Sequence, residues 1–249
     1  MQKVDNLADL YELTPTQQGI LFHSLMAPKA GMYCTQFGFT LQGDLVIEAF
    51  RQAWEHTIEQ HSILRTAFVW EGLEKPLQIV RREVTLQFTQ LDWRDKSSEQ
   101  QQQLETWLQQ DRQQGFALSQ APLMRLVLIR WTETTYHCVW SKHHLLLDGW
   151  STGLVLKAVL TRYDALRQGQ SPSLPPAPPY RDYVAWLQQQ DLAQAETFWR
   201  SHLQGFTAPT PLGITRTQKE TAADIANGTH LLSPELTQTL KTFARQYQL

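Results

Sequence analysis

The step between apolar residues changes from two to three or four, and back again, along the chain. From Tyr33 to Gln42, Phe37, Phe39 and Leu41 alternate with smaller or polar neighbours, which predicts a strand. From Val46 to Gln60, Ile47, Phe50, Trp54 and Ile58 recur every three or four residues, which predicts a helix with one buried face. An earlier helix runs from Pro15 to about Met26, because Thr14 suits an N-cap and proline suits the first helical position. One of its faces carries Ile20, Leu21, Ser24 and Leu25. Residues 1–12 read as a linker or a first extended segment.

Arg65–Trp70 and Pro76–Val80 pattern as a hairpin around Glu71-Gly72. The glutamine-rich stretch that follows is a solvated helix by pattern. Ser97 and Gln100 fit a capping box there, and Leu104, Trp107 and Leu108 form its apolar stripe. Leu123–Trp131 and Thr135–Lys142 predict two strands joined by a tight connection. Leu154, Leu156, Val159, Leu160 and Tyr163 then mark a helix ending near Gly169. Residues 171–179, SPSLPPAPP, form a stiff connector between structural units. Tyr180–Gln204 is helical by pattern, and 205–228 reads as loop with short strands. Ser233-Pro234 starts a last helix with Leu236, Leu240, Phe243 and Tyr247 on one face. That stripe runs to Leu249 with no glycine or proline stop, so a continuing natural chain is expected. The succession mixes strands with helices, and the hairpin-joined strands predict antiparallel pairing.

Composition narrows the function classes. A hydrophobic content of 42% supports a sizeable core, and a formal charge of −2 lacks the basic footprint of a nucleic-acid binder. No apolar run approaches the ~18 residues of a membrane span. The first residues lack the charged-then-apolar plan of a signal peptide. Cys34 and Cys138 lie too far apart for a metal finger and too few for a disulfide framework, so a reducing cytoplasm is expected.

The candidate chemistry lies in HHLLLDGWSTG, His143 to Gly153, where two catalytic spellings overlap. Strand alternation would send His143 and His144 to opposite faces, one buried and one facing a cleft. A free imidazole there titrates near neutral pH and suits proton transfer. Asp148, at the change from strand to helix, can cap that helix or pair with a buried arginine. Adjacent histidines facing opposite ways cannot easily share a metal ion, and zinc wants three or four protein ligands. The second spelling is G-x-S-x-G, with Ser151 as a hydrolase nucleophile and Asp182 or Asp191 with His202 or His230 as partners. Hairpin-joined strands argue against the parallel sheet which that reading needs.

Four stretches in order carry a family resemblance: LTPTQQGILFHSL (13–25), HSILRTAF (61–68), HHLLLDGWS (143–151) and YRDYVAWL (180–187). With them the chain resembles the N-terminal part of a condensation domain of nonribosomal peptide synthetases. The resemblance implies a chloramphenicol-acetyltransferase-like α/β fold, with helices on a mixed or antiparallel sheet. Residues 13–170 would be its N-terminal lobe, and residues 180–249 an inter-lobe helix and the incomplete start of a second lobe. It implies amide-bond formation between a donor thioester on an upstream carrier protein and the amine of an aminoacyl thioester on a downstream one. The phosphopantetheine arms belong to the carriers, so the domain itself would hold no cofactor. An adjacent adenylation domain and the rest of the second lobe would be further partners, and this chain alone would be nearly inactive.

By the resemblance, His144 takes or orients the amine proton and His143 is structural. Asp148 pairs with Arg65, fixing the turn. Gly149 lets the backbone approach the reacting centre, and Trp150 and Ser151 belong to the helix start and channel wall. Tyr180, Asp182, Tyr183 and Trp186 pack between lobes. An epimerization domain shares the histidine motif, whereas heterocyclization domains put aspartate at its first histidine, where this chain has His143. A noncatalytic module that only docks carrier proteins is the rival from another class.

Overall fold

The computed structural model describes residues 6–27, 31–95, 99–172, 174–208 and 230–249. The chain divides into two compact units, Met1–Gly205 and Phe206–Leu249.

The first unit is built on two sheets. Leu7–Glu12 (β1) is a strand, the extended alternative for the start of the chain. It pairs antiparallel with Leu77–Arg81 (β4), which pairs antiparallel with Thr66–Val69 (β3). The expected hairpin is therefore present, with β1 added at the far side of β4. The larger sheet has Cys34–Gln42 (β2), Gln87–Asp92 (β5), Met124–Arg130 (β6) and Thr135–His143 (β7), in the order β2-β7-β6-β5. Its β2/β7 and β6/β7 pairs are antiparallel, and β5/β6 is parallel. The sequence pattern missed β5. Its inward residues are interrupted and most of its side chains stay in solvent, so it lacks a clean period of two.

Ile47–Gln60 (α2) and Gly149–Arg167 (α4) cover one face of this sheet. Trp54 meets Trp140 edge-on there, with ring centroids 4.8 Å apart. Phe50, Ile58, Val155 and Val159 pack with Leu126, Leu128 and Cys138 in the same core. Residues Gln100–Gln114 (α3) cover part of the opposite face, where Leu104 packs on Val127, Ile129 and Val139. Alternation along β6 and β7 explains both cores, since even and odd residues feed different faces. The capping box expected on Ser97 lies outside the described residues, and α3 starts at Gln100 behind Glu99.

Pro15–Met26 (α1) begins as expected. Thr14 and Gln17 form a reciprocal capping box, with Gln17 N–H to Thr14 Oγ1 at 3.2 Å and Thr14 N–H to Gln17 Oε1 at 3.1 Å. Its buried stripe differs from the expected one. Gln17 and Leu21 are buried, whereas Leu25 is exposed. The helix expected over 180–204 is broken in two, Tyr180–Gln188 (α5) and Leu192–His202 (α6), because Asp191 caps the second one by accepting from Gln194 N–H at 3.0 Å. Of the stretch 205–228 only residues 205–208 are described, so the loop expected there lies mostly outside the described residues. In the second unit Pro234–Gln246 (α7) is capped by Ser233, which accepts from Leu236 N–H at 3.2 Å.

A buried charged group fastens α3 to the sheet. Asp111 accepts from Arg125 Nε at 2.5 Å, from Ser141 Oγ at 2.6 Å and from Gln36 Nε2 at 2.6 Å. Arg125 also donates to Gly115 O at 2.7 Å and lies over the Phe116 ring. Removing one partner of such a pair leaves the other charge buried and uncompensated. Asp111→Ala should therefore lower stability by ~3–5 kcal/mol, read as a shift of the urea midpoint at constant m.

Candidate active site

The strand β7 stops at His143, and the next three residues form a turn. Leu145, Leu146 and Leu147 explain the turn, since all three are buried and pull the chain into the core. The polar backbone groups they drag in must find partners there. His144 N–H donates to Tyr33 O at 2.9 Å, and Leu146 N–H donates to His143 O at 3.1 Å. Leu145 N–H donates to His143 Nδ1 at 3.2 Å, and Leu145 O accepts from Gln17 Nε2 at 3.1 Å.

One of the two histidines is buried and the other partly exposed, but not through strand alternation. His144 lies beyond the strand, so the turn and not the pleat separates them. His143 is 6% exposed, with Phe116 and Tyr33 beside its ring. Its hydrogen bonds assign the tautomer. Nδ1 accepts from Leu145, so the proton sits on Nε2, which faces Ser24 Oγ at 3.4 Å. Ser24 donates its own proton to Ile20 O at 2.7 Å, which leaves its oxygen free to accept. Burial, helped by the neighbouring His144, pushes the His143 pKa down to about 4. A second proton would place a donor on Nδ1 against the Leu145 N–H. His144 is partly exposed, and among the described residues its ring makes no side-chain hydrogen bond; Tyr33 lies at its edge with centroids 6.5 Å apart.

Asp148 does not pair with Arg65. Its carboxylate caps α4, accepting from Ser151 N–H at 2.8 Å, and its backbone oxygen accepts from Thr152 Oγ1 at 2.7 Å. The Ser151 N–H and hydroxyl, and more weakly His144, hold its carboxyl below the usual range. Arg65 instead donates to four backbone carbonyls, of Ile58, Glu59, Arg81 and Arg82, and so ties the end of α2 to the end of β4. Five donors in a fixed fork can satisfy such a carbonyl cluster without an acid. The pairing is therefore corrected to two separate devices, a cap and a clamp.

Gly149 is the first residue of α4, and a Cβ there would meet no atom within 4 Å. Trp150 is 88% exposed, so its side chain faces open space. Ser151 belongs to the cap, and two of the four hydrolase partners are engaged elsewhere. Asp191 caps α6 and His202 stacks on Phe198. Tyr180 is half-buried against the core beside Thr14, and burial raises its pKa. Tyr183 stacks on Trp186 with centroids 5.9 Å apart, both exposed, and the Asp182 N–H donates to Pro179 O at 3.0 Å. Sequence reasoning gave no site role to Gln17, Ser24 or Tyr33, although it placed Ser24 on one face of the first helix. Their signal was position inside or just after the stretch 13–25, where a glutamine falls on an otherwise apolar face.

The chain matches the family model described as Condensation domain over residues 7–249. A linear gramicidin synthase of Brevibacillus parabrevis is 44% identical over 246 residues, covering 98% of this chain and 5% of that protein. A plipastatin synthase of Bacillus subtilis (strain 168) is 37% identical over 217 residues, covering 85% of this chain and 8% of that protein. The chain belongs to the condensation-domain family. The starter condensation domain of rhizomide synthetase aligns with TM-score 0.72 at 22% identity, over 81% of this chain and 50% of that one. The first condensation domain of the calcium-dependent antibiotic synthetase aligns with TM-score 0.71 at 17% identity, over 83% and 50%. These structures show the fold, the expected chloramphenicol-acetyltransferase-like one. The chain spans half the length of these solved domains and a small part of the synthases.

Two outcomes follow for stability. Asp148→Ala should cost ~0.5–2 kcal/mol, the loss of a helix cap, and not the ~3–5 kcal/mol of a broken buried ion pair, by urea denaturation. The unfolded chain protonates His143 near the ordinary 6.5 and the folded chain only near 4, so between those values acid favours the unfolded state. Stability should therefore fall as pH drops from about 6.5 to about 4, by on the order of 3 kcal/mol from this group. Urea titrations at pH 7 and 4.5 should show this loss in wild type and much less of it in His143→Gln.

Proposed function

We propose that this chain contributes the histidine side of a condensation site, which joins a carrier-bound acyl or peptidyl thioester to the amine of a carrier-bound aminoacyl thioester. One observation carries the proposal: a partly exposed imidazole, His144, stands on a turn whose backbone is bonded inward, while its ring makes no side-chain hydrogen bond among the described residues. Such a ring can accept a hydrogen bond from an incoming amine without breaking one in the protein. The amine nitrogen bonds to the thioester carbon, the carbon–sulfur bond breaks, and the departing thiolate takes up a proton. His144 serves the first step by holding or receiving the amine proton. Asp148 and Gly149 serve by setting the start of α4, and the open space at Gly149 leaves room for a substrate beside it.

Upstream and downstream peptidyl carrier domains would deliver the phosphopantetheine thioesters, with an adenylation domain adjacent. The names of the gramicidin and plipastatin synthases support this setting. The exposed Tyr183–Trp186 stack is fitted to cover by the other half of the domain. No helix among the described residues is long and apolar enough to cross a membrane, and both cysteines are free and buried, which favours a cytoplasmic setting.

The test uses the full-length protein with loaded donor and acceptor carriers, following dipeptide formation by mass spectrometry. His144→Ala should lose at least about a hundredfold in rate, the scale of a positioned acid–base group. Ser151→Ala should keep most of the rate. Loss in Ser151→Ala alone, or hydrolysis of the donor without amide formation, would overturn the proposal.

A further inference from the structure

Gln17 makes more hydrogen bonds than a capping residue needs. In a capping box only the side-chain oxygen at this position is used, and a glutamate serves as well. Here Gln17 Oε1 accepts from Thr14 N–H at 3.1 Å and from Gln78 Nε2 at 2.9 Å. The Gln17 Nε2 group donates to Gln78 Oε1 at 3.1 Å and to Leu145 O at 3.1 Å. Gln78 Nε2 also donates to Glu12 O at 3.1 Å. Both amides are buried, Gln17 to 4% exposure and Gln78 to none. The two side chains thus form a reciprocal amide pair in the core, and only an amide, not a carboxylate, can supply both donations of Gln17.

The bond to Leu145 matters most. Leu145 directly follows His144, and its two backbone groups are held by different side chains, N–H by the His143 ring and C=O by Gln17. The His144 N–H is fixed to Tyr33 O. The peptide planes on either side of His144, and the next one, are therefore anchored. Of these anchors, only Gln17 comes from a helix packed at the β1–β4 side of the fold.

We propose that Gln17 is a positioning residue for His144, setting through the Leu145 carbonyl the direction in which the imidazole leaves the turn. The proposal rests on reading His144 as the group that meets the amine.

Gln17→Met keeps the volume and removes every hydrogen bond of the side chain. Gln78→Met removes the amide pair but leaves Gln17 its bond to Leu145. In the full-length protein, Gln17→Met should lower kcat by about tenfold to a hundredfold with little change in KM, the scale of a small misplacement near the reaction. Gln78→Met should lose comparable thermal stability and less than about threefold in kcat. In a His144→Ala background Gln17→Met should add no further loss, because the two act as one unit. Gln17→Glu keeps the cap acceptor, and its kcat should fall as in Gln17→Met, which covers the case where the methionine variant folds poorly.

A second readout does not depend on the reaction. The rate at which diethyl pyrocarbonate modifies His144, read by peptide mass spectrometry across pH, should change in Gln17→Met and stay as in wild type in Gln78→Met. Equal effects of the two variants, full additivity on His144→Ala, or unchanged His144 modification in Gln17→Met would each overturn the proposal. Absence of amide formation by wild type would sink the condensation reading instead, and the modification rates would still decide the role of Gln17.

Discussion

Three consecutive leucines after β7 place a turn of backbone where water cannot reach it, and the site is organised around that constraint. Buried N–H and C=O groups cost several kcal/mol if left unpaired, so each must meet a partner. The partners come from the residue before β2 (Tyr33), from α1 (through Gln17) and from the end of β7 (through the His143 ring). The same hydrogen bonds that settle this cost also fix the backbone that carries His144. Among the described residues the His144 ring makes no side-chain hydrogen bond and stays partly exposed.

The acidic residue of the motif follows a related logic on the outside. Asp148 is exposed, and its carboxylate answers the unpaired N–H groups at the start of α4. A buried ion pair with Arg65 would need both charges desolvated, and Asp148 stays in solvent. Arg65 finds carbonyl partners where α2 ends, because helix ends leave such oxygens open. Among the described residues the desolvated ion pair is Asp111–Arg125. There it holds α3 on the sheet and sets Phe116 against His143.

Several large apolar side chains remain open in this chain: Trp150 on α4, Tyr183 and Trp186 on α5, Phe198 and Trp199 on α6. They are consistent with a chain that matches half of each solved condensation domain. Among the described residues, none on the α6 helix is buried.

Local pattern alone determined much of this protein. The capped start of α1, the β3–β4 hairpin, α2, the β6–β7 pair and the helix after the histidine motif all follow from spacing and cap chemistry, which act over a few residues. The histidine motif itself was legible because His143, His144 and Asp148 are close together in sequence. Three features were decided only by tertiary structure. β5 is a strand because it finds β6 in parallel, a contact with no local signature. Asp148 is a cap and Arg65 a clamp because distance and burial, which no motif encodes, keep them apart. Gln17 reaches Leu145, 128 positions away in the chain, because folding brings the start of α1 under the turn. Sequence shows which groups can hydrogen-bond; only packing decides which of them are shut away from water and must.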